Sequence, residues 1–183
     1  MNPSLVGSEM CIRDRAYSAS TNLVGSWKSS LPDNAPNNLL FNIYDGEKEN
    51  LVEFLKLNEI AVQPLFPVTS ARFQRLDSKK EIDRTFNFTW MDKLPEGNEV
   101  IAGKWFENEN NGISISSEIS ERYELQVNDQ IVIDVAGKKI SSYIQSIREV
   151  NWENFSPNFF AIGFPDDFKE ISSTFITSFH IPQ

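Results

Sequence analysis

The sequence predicts an α+β fold, a sheet-dominated body of mostly antiparallel strands with two or three short helices. Three observations predict it. Phe86, Phe88 and Trp90 alternate with Asn87 and Thr89, the period of a strand with one buried face. Residues 130–135 and 138–147 flank an Ala136-Gly137 turn, as the arms of a β-hairpin do. Leu51, Val52, Phe54 and Leu55 recur at helical spacing, but only over a short stretch, 49–58. With 183 residues, 14 of them Phe, and 40% hydrophobic composition, the chain is long and apolar enough to bury a substantial core.

Taken in order, residues 1–15 (MNPSLVGSEMCIRDR) have no charged n-region and no sustained apolar stretch, so they make a poor secretory signal. They look like translated read-through of a sequencing adapter of the kind found on environmental sequences. They are set aside, with the expectation that the native N-terminus is missing and the chain is a fragment. Residues 16–30 are Ser-rich, with Leu23, Val24 and Trp27 suited to one or two helical turns, and Pro32 and Pro36 then interrupt regular structure. Residues 39–44 read as a buried strand closed by Asp45-Gly46. After the 49–58 helix, 60–68 is extended, with Pro64 and Pro67 confining it to an edge or irregular strand. The charged stretch 73–84 reads as a surface loop or hairpin. Strands follow at 86–90, 100–102 and 113–115. Ser116 or Ser117 then starts a helix with Glu118 and Glu121 near its positive end, running to about Tyr123. Asn128-Asp129 is a turn, and 159–162 and 175–179 complete the strands. There is no internal repeat.

Composition excludes several functions. A net charge of −9 argues against nucleic acid, whose phosphates demand clustered Lys and Arg. No apolar stretch approaches the ~18–20 residues that cross a bilayer. Without residues 1–15 the chain loses Cys11, its one cysteine, and with it any disulfide, thiolate metal site or cysteine nucleophile. There is no phosphate loop and no Gly-x-Ser-x-Gly elbow, and no cofactor is expected. His180, the one histidine, reads as an ordinary strand residue rather than a catalytic base. Glu107, Glu109, Asn111, Gly112 and Glu118 match positions of a calcium-loop template. Glu crowds its first positions, though, and strand-like flanks replace the helices, so the segment reads as a solvated acidic loop. The sequons at Asn87 and Asn154 overlap apolar residues, which disfavours a glycan. Asp166, Asp167, Lys169 and Glu170 read as a solvated turn.

Several strings together resemble one family. They are Trp27 with Leu31-Pro32 and Ala35-Pro36-Asn37, Phe86-Asn87-Phe88-Thr89-Trp90 with Leu94-Pro95, and Ala102-Gly103-Lys104-Trp105. They continue with 146–152 (SIREVNW), Ser156-Pro157-Asn158-Phe159-Phe160 and Thr177-Ser178-Phe179. In this order, across most of 20–182, they are similar to the extracytoplasmic domain of FtsX/MacB-like ABC transporter permeases of the YbbP type, most of all to the second of two such domains. The family's basic pair is reduced to the lone Arg72, and Asn128 stands where the family's turn carries Gly, a tolerable exchange at positive φ.

The resemblance implies a MacB-like periplasmic core in residues 16–183: a mixed α/β lobe (about 30–105 and 148–183) and a smaller β-rich lobe (about 106–147). It implies a non-catalytic role at the periplasmic side of the inner membrane, transmitting ATP-driven motion and aiding export of a hydrophobic or lipid-like substrate. The implied partners are membrane-spanning helices of the same permease and a cytoplasmic ABC ATPase subunit, with a periplasmic hydrolase as a further candidate. The motif residues expected to carry structure or coupling are Pro36, Asn37, Asn87, Thr89, Trp90, Gly103, Trp105, Arg148, Trp152, Pro157, Asn158, Phe159 and Phe160. Trp90, Trp105 and Trp152 would anchor the packing of the lobes. Asn87 and Asn158 would bond backbone left open by turns, and Arg148 would pair with a carboxylate or carbonyls. A free periplasmic module binding a lipid or a partner, and a carboxylate-dependent hydrolase, are the alternatives.

Overall fold

A computed structural model of the chain describes residues 35–61, 64–75, 82, 84–107, 112–152 and 157–181. The expectations for 1–34, including Cys11 and Trp27, and for Glu109, Asn111 and Asn154 lie outside the described residues. Residues 36–183 form one compact unit. Its strands are β1 (Asn38–Ile43), β2 (Phe66–Arg75), β3 (Thr85–Trp90), β4 (Asn98–Gly103), β5 (Ile113–Ser116), β6 (Gln130–Val135), β7 (Lys138–Val150), β8 (Ala161–Gly163) and β9 (Thr174–Phe179). The helices are α1 (Lys48–Leu57), α2 (Ser117–Tyr123) and the single turn α3 (Pro165–Phe168). The fold is a mixed sheet with few helices.

Six strands close on themselves. The ladder runs β2-β3-β8-β5-β7, and β6 joins both β7 and β2, which completes a barrel. Among the described residues only β3–β8 and β5–β7 are parallel pairs. The barrel uses strands from 66–90 and 161–163 together with strands from 113–150, so it draws on both segments expected as lobes. Alternating residues fill the inside: Ala71 and Phe73 of β2, Phe86 and Phe88 of β3, and Ile131, Ile133 and Val135 of β6 belong to one buried cluster. Phe73 is 2% exposed, so the charged stretch from residue 73 begins as barrel wall rather than as a loop. Ala71 and Phe73 alternate with Arg72 and Gln74, a period of two that the neighbouring charges conceal. Pro67 sits near the start of β2, within its pairing with β9.

The turns follow from local chemistry. Ser116 caps α2 by accepting from the Ile119 N–H at 3.4 Å, and Glu124 ends the helix at φ 54°. Asn128 adopts φ 74°, the conformation expected of it. The β6–β7 turn has φ 51° at Ala136 and 84° at Gly137, positive at both positions as a tight hairpin requires. Residues 166–170, expected as a solvated turn, begin with α3, whose Phe168 is buried against Phe88 at a ring distance of 4.8 Å.

Outside the barrel, β9 pairs with the first residues of β2, and among the described residues β1 pairs with β9 alone. At the other end of the sheet β4 pairs with β7. The registers of both outer strands are irregular, between Leu40 and Ile43 in β1 and between Val100 and Ala102 in β4.

Candidate functional site

The pairing of β5 with β7 shifts register between Ile113 and Ser114, whose partners are Ile144 and Ser146. This bulge changes the phase of β7: Ile140, Ile144 and Ile147 all pack on the interior cluster, while Ser146 and Arg148 turn to the outer wall. There Thr89, Ile162, Ser114 and Ser146 lie in register across β3, β8, β5 and β7, each fully buried. Met91, Phe106 and Phe159 cluster with Ile162 and cover part of this wall.

Arg148 lies against this row with its side chain 0% exposed. Its Nε donates to Ser114 Oγ at 3.0 Å, one terminal nitrogen donates to Asn98 Oδ1 at 2.6 Å, and the other donates to the Phe159 carbonyl at 2.8 Å. Ser146 Oγ donates to Ser114 Oγ at 2.9 Å. Asn98 Nδ2 donates to Asn158 Oδ1 at 3.1 Å, and Asn158 Nδ2 donates to the Asn151 carbonyl at 2.8 Å. One chain of bonds therefore links β5, β7 and β4 to the 157–160 loop. Among the described residues the partners of Arg148 are all neutral, so of the two expected kinds of partner, carbonyls rather than a carboxylate are present. Burial pushes its pKa down to about 9, which leaves the guanidinium charged at neutral pH. A buried cation held only by neutral acceptors is costly, and its three directional bonds fix where β4 and the loop must sit.

Two clefts flank Pro157. One, of about 420 Å³, is lined by Pro64, Phe66, Met91, Leu94, Pro95 and Pro157, with Asp92, Lys93 and Glu96 also contributing. The other, of about 340 Å³, is lined by residues that include Pro36, Leu39, Trp152, Pro157 and Ile176. Phe160 packs its ring 4.8 Å from Trp152 and 6.3 Å from Phe86.

The tryptophans occupy three different settings. Trp90 stacks on Phe168 at the mouth of the barrel, 5.9 Å between centroids. Trp105 donates from Nε1 to the Asp92 carbonyl at 2.8 Å and holds the β3–β4 connection. Trp152 is 41% exposed and donates to Glu118 at 2.8 Å. Gly103 has φ 75° and sits against the Gln145 carbonyl, where any Cβ would collide. Asn37 donates from Nδ2 to the Ile181 carbonyl at 2.8 Å and accepts from the Ile181 N–H at 2.9 Å. Asn87 is exposed on β3, away from the Arg148 chain, because it falls on the polar phase of the alternation. The Thr89 Oγ1 and Ser178 Oγ atoms are buried without a hydrogen-bond partner among the described residues.

Asn98, Ser114 and Ser146 were not among the residues expected to carry structure or coupling. Their signal was weak: Ser114 and Ser146 are small polar residues inside strands, and nothing in one dimension pairs positions 32 apart. Among the described residues no group of three His, Asp or Glu side chains is arranged to hold a metal ion.

No protein-family model matches the chain. It is 27% identical over 151 residues to the Escherichia coli (strain K12) protein described as "Uncharacterized ABC transporter permease YbbP". The match takes in 79% of this chain and 18% of that protein. A crystal structure of a domain of a Porphyromonas gingivalis protein, named as a permease, superposes with a TM-score of 0.43 at 16% identity, over 71% of this chain and 66% of that one. The chain is related in sequence to a segment of an ABC transporter permease.

Proposed function

We propose that the chain is a non-catalytic extracytoplasmic domain of an ABC permease, held at the periplasmic face of the inner membrane. A single observation carries this beyond the sequence relationship: Asn37 and Ile181 are joined by two hydrogen bonds, so the chain leads into and out of the domain side by side. Such a body suits insertion between two membrane helices. In this reading a separate cytoplasmic ATPase drives the helices, and their motion reaches the barrel through β1 and β9. The 30–105 and 148–183 segment and the 106–147 segment, which a MacB-like division would treat as two lobes, move together because the barrel alternates between them.

Within the barrel, Arg148 is the coupling residue, tying β4 and the 157–160 loop to the wall. The clefts on either side of Pro157 are where a hydrophobic, lipid-like molecule or a periplasmic partner would meet the domain. Genomic sequence on either side tests the reading. It expects an apolar stretch of about 20 residues before and after the domain. A gene for a freely diffusing protein lacking both would overturn it. Grafting residues 36–181 in place of the matched segment of the E. coli relative adds a topological test. A cysteine at the exposed Ile101 should react with a membrane-impermeant maleimide in intact cells, and protection until lysis would contradict a periplasmic position.

A further inference from the structure

The ribbon of β1 and β9 is built differently from the barrel it adjoins. Among the described residues β1 meets the rest of the sheet through β9 alone. The two strands are antiparallel, with Asn38 opposite Phe179, Leu39 opposite Ser178 and Leu40 opposite Thr177. The ladder then loses register before Ile43 meets Phe175. At its open end the Asn37 N–H donates to the Phe179 carbonyl at 3.1 Å, and the Asn37 amide exchanges two bonds with the backbone of Ile181. The Asn37 side chain thus imitates one more rung of the ladder.

The segments before Pro36 and after Ile181 therefore leave from the same end of an antiparallel pair. A force that separates them loads the Asn37 bracket first and then one rung after another. A force along the strands in opposite directions loads every rung together. Hydrogen bonds broken in sequence yield under less force than the same bonds strained in parallel. Beyond Leu40 the irregular register and the left-handed Asn42, φ 59°, interrupt the ladder.

We infer that the β1–β9 ribbon is a directional mechanical coupling. It opens from Asn37 when the segments before Pro36 and after Ile181 are drawn apart, and it holds when they move together or slide past one another. Its physiological meaning rests on the permease reading: spreading of the flanking helices would be absorbed in the ribbon, and concerted motion would pass to the barrel. The mechanical property itself is independent of that reading.

Single-molecule force spectroscopy on the full chain tests it, with Cys11→Ser and handles at Pro36→Cys and Ile181→Cys. The expected record is an early low-force step of about 40 Å, roughly 25 Å from the seven residues 37–43 released from β9 and the rest from the span of β9 between Phe175 and Ile181, followed by a separate barrel event. Handles at Tyr44→Cys and Ile181→Cys load the same ladder in shear, and the rupture force should be several-fold higher. Asn37→Asp, which keeps the acceptor for the Ile181 N–H and loses the donor, should lower the first step and barely move the shear force. Equal forces in the two geometries would overturn the inference. So would a 36/181 pull that unravels ribbon and barrel in one step, or an Asn37→Asp effect of equal size in both directions. Because no membrane is involved, this result and the flanking-helix test can fail separately.

Discussion

The barrel and the β1–α1 region solve the same problem in opposite ways. In the barrel, closure gives each of the six strands a neighbour on both sides, and the interior side chains of β6 are wholly buried. In residues 39–57, by contrast, Leu39, Phe41, Tyr44, Phe54 and Leu57 are between 51% and 77% exposed, and Leu55 is the buried residue of α1. The difference teaches where stability resides: the barrel is the folding unit, and β1 with α1 is an attachment whose apolar surface contributes little to it.

Substitutions can break or sharpen this contrast. The largest effect belongs to Phe88→Ala, which empties the barrel where Phe88 meets Phe168 and Trp90. It should cost about 3–5 kcal/mol in urea unfolding. Next comes Arg148→Ala, which strands Asn98 Oδ1 and the Phe159 carbonyl and leaves Ser114 Oγ with Ser146 alone; a loss of about 3 kcal/mol is expected. If the coupling role holds, Arg148→Met, which fills most of the volume, should still fold while impairing transport in the grafted permease.

The buried arginine also predicts a pH signature with a definite sign. Its folded pKa, about 9, lies below the unfolded one, so both states carry the proton below pH 9 and the group adds no pH dependence there. As pH rises through about 9, the folded state sheds the proton first and gains stability. At pH 10 the wild type should gain on the order of 1 kcal/mol relative to Arg148→Met. Unfolding curves for both proteins at pH 7 and pH 10 check it, and a gap that stays constant would refute a depressed pKa. In the attachment, Phe54→Ser should shift stability by no more than about 0.5 kcal/mol, as at an ordinary surface position. The smallest effect is at Asp167, whose pKa is raised by desolvation and then by Asp166. A carboxyl raised on folding destabilises once it is ionised, so Asp167→Asn should lift the melting temperature slightly at pH 7 and not at pH 3.

Much of the element list was legible in the sequence, because it depends on period and turn chemistry. The 86–90 alternation, the Ala136-Gly137 hairpin and the Ser116 cap are local signals, and each element stands where its signal lies. Barrel closure was not legible, since it depends on β6 pairing with β2 across a gap of some 60 residues. The start of the 73–84 stretch was misread because charge density hid an alternation of two. Of the site, Arg148 and Asn158 were singled out from their apolar surroundings, and the structure brings them together through Asn98, which no local pattern marked. The bulge that sends Arg148 outward is equally silent in one dimension, because it is a property of two strands in register.

The irregular registers of β1 and β4 have a consequence for company rather than for shape. These are the two ends of the open path of the sheet, the places where another molecule's strand would add itself. A kinked terminal strand is a poor template for such growth, so the two irregularities act beside the exposed Glu99 of β4 in keeping crowded copies separate. Deleting Ile101, which would straighten the terminal strand β4, should make the protein precipitate at a lower concentration than the unaltered chain does.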